Sequence, residues 1–509
     1  MNKHLKKISV TIGITGIGFI INYMITLFLT PYITDTVGTE AYGFVSLAKN
    51  IAQYATYVTL ALNSFATRFI SVAYHNKNYD EANTYFSSTY YGDLGLGSII
   101  LAAAAVMILN ISRVFQIPAE LVTDIQLLFL FVFIKFWVTT VLSVNEASAM
   151  IANKLYVTSA TKLAGYGVEA ALLIALYHLF KPNVFYVGIA IMAASIVECA
   201  ANVAIRKRYT PELSISRSHF SWKAVKTLVV NGIWTSITSV GNFLHSGLDL
   251  MVCNLMLSPL AMGQLAISEN VVLIFKSLLT MASRPFQPYY LKDYADGDIR
   301  KLLKHMTLAM KTSSMFTNAC FAGFMSLGMV YYRLWIPNQN VPLIWKLSMI
   351  SIATCVCSGI VTPVYYVYTL AVRKKIPCLM TIGSGALNVI SMYFLIKYTS
   401  LGVYAVVWTT AVIVSVLELV GHPLYAAHVL RVSYKTFYPC ILRCLASCMA
   451  VTAVMMVMRC IYMPHSWLTF ALCVLIYGII GALVHILVAL TKEEKAMLVK
   501  ALNLRFTKA

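Results

Sequence analysis

The sequence predicts an all-α polytopic membrane protein. About fourteen transmembrane helices form two six-helix lobes, related by a parallel pseudo-two-fold repeat, plus an appended C-terminal helix pair. Three observations carry this. Of the 509 residues, 59% are hydrophobic and 11% charged, where a soluble domain carries about 25% charged residues. Apolar runs of about 20 residues recur along the whole length, as a hydrocarbon core about 30 Å thick requires. The chain also matches itself across a shift of 220 residues: Asn22 falls on Asn242, Ala41 on Ala261, Gly43 on Gly263 and Asn50 on Asn270, without a gap. Both copies sit on the end of one helix, a short turn and the start of the next. Repeats of several helices characterise transporter folds, which place the substrate at the repeat interface near the bilayer midplane.

The apolar runs set the spans, roughly 8–31, 41–65, 86–109, 123–145, 155–180, 184–205, 225–250, 258–283, 305–332, 343–370, 376–397, 402–428, 438–461 and 465–490. The first run follows Lys3, Lys6 and Lys7, as a signal peptide does. It is too long for one, and Asn22 to Pro31 offers no small-residue cleavage site, so it is read as a retained helix. An even count puts both termini on one side. One set of connections holds the first lysines, Arg206-Lys207-Arg208, Arg217, Lys223, Lys292, Arg300, Lys301, Lys304, Arg373-Lys374-Lys375, Arg431 and Lys435. The tail adds Lys492, Lys495, Lys500, Arg505 and Lys508. The opposite set holds little more than Arg113, Lys181, Arg333 and Lys397. Basic connections stay in the cytoplasm, so both termini are expected there.

The longest basic loop divides the repeat. The expected organisation is an N-terminal six-helix lobe (1–205), a basic cytoplasmic linker (206–224), a C-terminal six-helix lobe (225–430), an additional helix pair (431–490) and a cytoplasmic tail (491–509). Six helices per lobe keep both copies in one orientation, which makes the repeat parallel.

Composition also excludes. The net charge of +20 does not point to nucleic acid, because its distribution is the one membrane insertion produces. Eleven cysteines lie in or at the ends of apolar segments without a C-x-x-C pair. Cys440, Cys444 and Cys448 share a helix face, but no His or carboxylate converges on them as a metal would need; they read as small packing residues. No H-E-x-x-H, G-x-S-x-G or P-loop occurs. Neither a cofactor nor an enzymatic activity is expected. The connections opposite the basic ones are short, the largest running from about Asn110 to Thr123, which argues against a membrane glycan polymerase or ligase.

Polar stripes at helical spacing mark faces turned to a partner helix or a cavity. The first span has Thr11, Thr15, Asn22, Thr26 and Thr30. The second has Ser46, Asn50, Gln53, Tyr57, Ser64 and Arg68. The seventh has Thr235, Ser239, Asn242, Ser246 and Asp249, and the eighth Glu269, Lys276, Thr280 and Ser283, beside Asn270. These spans are repeat equivalents, which predicts a cavity lined by the same two helices of each half. Singly, such residues serve as well as interhelical glue, at about 0.6 to 2 kcal/mol each.

Lysines stand at several depths. A mid-membrane Lys costs roughly 2.5 to 3.5 kcal/mol and needs a partner or a wet cavity. Lys135 lies near the centre of the fourth span; at 1.5 Å per residue Lys49 stands about 12 Å inward from the outer end of the second span and Lys276 about 23 Å inward in the eighth, while Lys162 stands about 10 Å from the cytoplasmic end of the fifth. The carboxylates are Glu169, Glu198, Glu269 and Glu418; Lys162 with Glu169, and Glu269 with Lys276, share helix faces where they could pair. Lys49 and Lys135 have no such neighbour. A ladder of lysines suits a moving anion such as a diphosphate, since Lys binds phosphate as a flexible point charge. Glu418 and His422, at i and i+4, read as an ion pair or a proton relay. His245 lies in the seventh span.

The turns Gly38-Thr39-Glu40-Ala41-Tyr42-Gly43 and Ser258-Pro259-Leu260-Ala261-Met262-Gly263, with Arg68 and Arg284 at the ends of the second and eighth spans, resemble the multidrug/oligosaccharidyl-lipid/polysaccharide exporter superfamily over about residues 1–430. Within it the chain is similar to the polysaccharide flippases, the Wzx-like O-antigen and capsule exporters. The resemblance implies two lobes forming a V around a cavity that opens alternately to each side. It implies transport of an undecaprenyl-diphosphate-linked oligosaccharide across a bacterial inner membrane, for surface polysaccharide such as lipopolysaccharide. The headgroup would travel in the cavity and the polyprenyl tail in lipid. Lipid II flippases also have fourteen helices, with the extra pair bordering a tail groove. Cavity residues are expected to be Lys49, Lys135, Lys162, Lys276, Arg68, Arg284, Asn22, Asn50, Gln53, Asn242 and Asn270. Ion-coupling candidates for H+ or Na+ are Glu269, Asp249, Glu169, Glu418 and His422. The expected partners are the lipid-linked glycan and membrane lipids, with the chain a monomer. The alternative of the same fold is a cation-coupled multidrug antiporter, whose relatives rely on buried carboxylates, often in the first helix; here that helix has none before Asp35.

Overall fold

The computed structural model describes residues 3–283, 286–371, 373 and 375–496. Arg284, Lys374, Lys500, Arg505 and Lys508 lie outside the described residues, as do the side chains of Lys3, Lys6, Lys7, Thr11, Thr15, Ser246, Thr280 and Ser283. The described chain is helical throughout, without a strand. Its long helices are α1 (Lys3–Thr36), α2 (Thr39–His75), α3 (Tyr79–Leu109), α4 (Val122–Leu142), α5 (Leu155–Leu179), α6 (Phe185–Tyr209) and α7 (Trp222–Ser246). They continue as α8 (Pro259–Ser283), α9 (Ile299–Trp335), α10 (Val341–Val361), α11 (Lys375–Tyr398), α12 (Val403–Leu430), α13 (Tyr438–Ile461) and α14 (Trp467–Ala489).

Among the described residues, ten of these are long and apolar enough to cross a membrane. This is a multi-pass membrane protein. The remaining helices, α2, α7, α8 and α9, are less apolar because they carry polar and charged rows: Lys49, Gln53 and Arg68 on α2, for example, and Lys304 and Lys311 on α9.

Helix starts follow local chemistry. Asn78 caps α3, accepting from the Glu81 N–H at 3.2 Å while its amide donates to the Glu81 carboxylate at 2.9 Å. That reciprocal pair occupies a donor the first turn leaves unpartnered. Asp298 caps α9 through the Lys301 N–H (3.0 Å) and Asn340 caps α10 through the Leu343 N–H (3.3 Å). The α1–α2 turn needs Gly38, whose φ of 119° is open to a residue without a Cβ.

The chain forms two compact units, Met1–Ala266 and Ile267–Ala509. In the first, Leu62 and Ile70 of α2, Phe86 of α3 and Leu228 of α7 bury a common core that includes Leu213 of the basic linker. The linker is therefore a strap. Asn83 and Ser87 of α3 exchange hydrogen bonds with its backbone: Asn83 Nδ2 to the Glu212 carbonyl (3.0 Å), the Ser214 N–H to Asn83 Oδ1 (2.8 Å) and the Ser216 N–H to Ser87 Oγ (3.1 Å). Helix α7 lies close against α2; a Cβ on Gly232 would stand 2.1 Å from the Ala61 carbonyl oxygen. The repeat-equivalent glycines meet as well. A Cβ on Gly43 would stand 2.9 Å from the Gly263 backbone, and one on Gly263 would stand 2.2 Å from the Thr39 carbonyl oxygen.

In the second unit α9 is central. It packs on α10, α13 and α14, with Met306, Met310, Ile360, Phe437 and the cysteines 440, 444 and 448 in one core. A polar cluster joins α9 to the last two helices. Lys311 is paired with both oxygens of Glu494 (2.8 and 2.7 Å). His485 of α14 uses Nε2 to reach the Lys311 carbonyl at 2.9 Å, which assigns the ring proton to Nε2; Nδ1 then accepts from Ser447 of α13 at 2.8 Å.

Candidate functional site

The first unit encloses a cavity of about 410 Å³, in the lower part of the range of about 300 to 1,000 Å³ typical of small-molecule sites. Four of the five wall helices, α2, α4, α5 and α6, present residues three or four apart, the spacing that shares a face. Helix α1 offers Asn22; α2 offers Lys49, Gln53 and Thr56; α4 offers Lys135; α5 offers Lys162, Tyr166 and Glu169; α6 offers Ser195 and Glu198. Lys49 and Lys162 are exposed to this space and Lys135 is half-buried, while Glu169 is buried.

Three ammonium groups thus face two carboxylates. Among the described residues, none of the five stands within 4.0 Å of an oppositely charged partner. Their fields still overlap: Glu169 feels Lys49 and Lys135, and Glu198 feels Lys162 and Lys135. Open charges at these depths require water or a ligand, since an uncompensated charge in hydrocarbon is costly. The lysines are not locked in dry contacts, and their flexible stems leave them free to follow an anion.

The expected site residues fall into three groups. Asn22, Lys49, Gln53, Lys135, Lys162 and Glu169 come together in this cavity. In the same unit Asn50, Arg68, Asn242 and Asp249 do not line it: Asn50 is half-buried on α2, Arg68 and Asn242 are exposed on α2 and α7, and Asp249 is buried just beyond α7. Glu269, Asn270, Lys276, Glu418 and His422 belong to the second unit, and Arg284 lies outside the described residues. Glu418 sits in a one-turn π segment (Leu417–Gly421) of α12 and accepts from Ser358 at 3.0 Å and from Tyr365. The Tyr368 hydroxyl approaches His422 Nδ1 at 3.2 Å.

The polar stripes resolve residue by residue. On α1, the Thr26 and Thr30 hydroxyls donate back to the Asn22 and Thr26 carbonyls (3.2 and 2.8 Å), and Thr30 Oγ1 lies 3.2 Å from the Tyr42 hydroxyl of α2. Thr30 is interhelical glue, Thr26 turns back to its own helix, and among the described residues of this group only Asn22 faces the cavity. The stripe argument also missed α4, α5 and α6 as walls, because their cavity residues are few and scattered among apolar ones. Glu198 was legible as an intramembrane carboxylate, which is itself a functional signal; its partners were not.

A family model described as polysaccharide biosynthesis protein matches residues 6–289. The chain belongs to the polysaccharide biosynthesis protein family. It is similar to a membrane protein of Bacillus subtilis (strain 168) described as uncharacterized, EpsK, with 25% identity over 494 residues, covering 97% of this chain and 98% of that one. Among solved structures, an inward-facing multidrug resistance MATE family transporter of the MOP superfamily aligns at TM-score 0.70 and 14% identity, covering 83% of this chain and 98% of its own. The lipid II flippase MurJ, in an inward closed conformation, aligns at TM-score 0.68 and 14% identity, covering 92% and 97%. The fold is that of these transporters, as the resemblance implied.

Proposed function

We propose that this family member is a flippase that moves a lipid-linked oligosaccharide, carried on undecaprenyl diphosphate, from the cytoplasmic to the outer leaflet of a bacterial inner membrane. The observation that carries the reading is the water-accessible set of Lys49, Lys135 and Lys162 on three different helices around one cavity. A diphosphate gains about 1.5 to 3 kcal/mol from each charged hydrogen bond, while Asn22, Gln53, Thr56 and Ser195 suit the hydroxyls of the first sugar. At about 410 Å³ the cavity holds the diphosphate end of the head and not a whole glycan. The family description supports a place in polysaccharide assembly, and the likeness to a lipid II flippase supports a fold able to carry such a lipid.

The reading extends to topology and cycle. Both termini are cytoplasmic, residues 1–205 and 225–430 act as lobes in alternating access, and the chain works as a monomer. Glu169 and Glu418, with Asp249, Glu269 and His422, are the groups available to an H+ or Na+ coupling step. The two carboxylates in the cavity, Glu169 and Glu198, favour one second reading, a cation-coupled multidrug antiporter.

The test replaces Lys49, Lys135 and Lys162 together by Gln and measures lipid-linked glycan translocation in proteoliposomes. Translocation is lost with membrane insertion intact if the reading holds. Unchanged translocation rejects it, and resistance to cationic dyes that depends on Glu169 and Glu198 replaces it with the antiporter.

A further inference from the structure

A second opening in the first unit lies along the seam between α1 and α5. It is a groove of about 660 Å³ walled by apolar side chains, among them Ile25, Phe28 and Leu29 of α1 and Leu173 and Ile174 of α5. Tyr32 and Tyr177 close its far end, their ring centroids 4.8 Å apart and the Tyr32 hydroxyl donating to the Tyr177 carbonyl at 3.4 Å.

The groove continues the cavity on the same two helices. One face of α5 reads Lys162, Tyr166 and Glu169 in the cavity, then Leu173 and Tyr177 in the groove, at steps of three and four residues. On α1, Asn22 lines the cavity while Ile25, Leu29 and Tyr32 line the groove at the same steps. Ordinary amphipathic helices change polarity around their circumference. This seam changes polarity along its length, from charged to predominantly apolar at Glu169 and Ala170, with His178 beside Tyr177 at the groove's far end. A ligand that matches it has a charged head joined end-on to a hydrocarbon chain.

We infer that the α1–α5 groove seats the head-proximal isoprenoid units of the lipid-linked substrate while its diphosphate occupies the Lys49–Lys135–Lys162 cavity. This rests on the flippase reading and names where the tail lies. The two helices run in the same sense, and with the amino terminus cytoplasmic the groove occupies their outer halves. The chain therefore lies toward the leaflet the head is leaving for. Eight residues from Glu169 to Tyr177 make the groove about 12 Å long, enough for the start of the chain only. Lipid tails are as apolar as Leu, so the groove adds little affinity. Its contribution is registration of the head over the lysines. The resemblance places a tail groove beside the appended pair instead; here α13 and α14 are tied to α9 through Lys311, Ser447 and His485.

The test uses the full chain in nanodiscs and a polyprenyl diphosphate with a diazirine on its second isoprene unit, mapped by mass spectrometry after irradiation. Label is expected at Phe28 and Ile174, which are 70% and 72% exposed, and is lost in excess unlabelled polyprenyl diphosphate but not in excess phosphatidylglycerol. Equal label at Ile99 of α3 and Leu475 of α14, or displacement by phosphatidylglycerol, means ordinary surrounding lipid and overturns the inference. Ile174→Trp, at a position 72% exposed, is expected to lower translocation while a water-soluble short-chain prenyl diphosphate sugar still binds; unchanged translocation counts against the groove. If that soluble probe binds and the groove stays unlabelled, the groove inference falls alone. If the probe does not bind at all, the flippase reading falls and takes the groove with it.

Discussion

Replacing Glu494 by Gln should destabilise the second unit by about 3 to 5 kcal/mol, the cost of leaving a buried charge without its counter-ion. The structure sets that magnitude. The Lys311 side chain is 5% exposed and both of its short contacts go to the Glu494 carboxylate, which is itself 16% exposed. A Gln in its place supplies one neutral oxygen and turns an N–H₂ toward the ammonium. Lys311→Met is milder, because Glu494 keeps the Thr491 N–H at 2.7 Å and some solvent. The double variant Lys311→Met, Glu494→Gln removes both charges and should recover most of the loss, since a buried pair exchanged for uncharged groups is often near neutral. At about 2 to 4 °C per kcal/mol for a unit of this size, Glu494→Gln lowers the midpoint by roughly 6 to 20 °C. Heating in detergent, followed by the area of the folded peak on size exclusion, reads this. A double variant as unstable as Glu494→Gln would refute the argument, because the penalty would then not come from the stranded ammonium.

Three further outcomes follow from particular contacts. Gly263→Ala places a methyl 2.2 Å from the Thr39 carbonyl oxygen, so the α2 and α8 starts must part, at about 1 to 3 kcal/mol; an unchanged melting midpoint would show that the turn yields freely. Glu418→Ala strips the acceptor from the Ser358 and Tyr365 hydroxyls at about 1 to 3 kcal/mol per stranded group, and Glu418→Gln, which keeps an acceptor oxygen, should lose less; the same melting assay ranks them, and the reverse order contradicts the contact. At the linker, the Tyr74 hydroxyl donates to Glu212 at 2.7 Å and holds its carboxyl below the ordinary range. A lowered folded value means the strap gains stability above the unfolded pKa of about 4.3 and loses it as pH falls through the lower folded value. Protection of the Ser214 and Ser216 amides, taken relative to the intrinsic exchange rate at each pH, should therefore fall on acidification in the native chain and not in Glu212→Gln; identical profiles would remove Glu212 from the account.

Much of this was legible in the chain. A run such as Val122–Leu142 can satisfy its backbone in lipid only as a helix, so apolar length specifies the element without reference to any neighbour. The internal match paired Gly43 with Gly263 before either had a position, and the structure brings those two backbones into contact. The lysines were legible as well, because a charge inside an apolar span must be answered by something. The stripes on α1 and α2 were only half informative: a threonine turned to its own helix, like Thr26, reads the same in sequence as a residue turned to water, like Asn22.

What the sequence by itself determined is the kind of protein: membrane helices, their order, the repeat and the cations that need an answer. Each depends on chemistry within one helix or on a fixed period along it. Only the tertiary structure decided which helix faces meet, because rotation about each axis depends on the packing of its neighbours. That packing gathered Lys49, Lys135 and Lys162 from α2, α4 and α5 around one space, brought Glu198 in beside them, and left an apolar seam running out of it between α1 and α5.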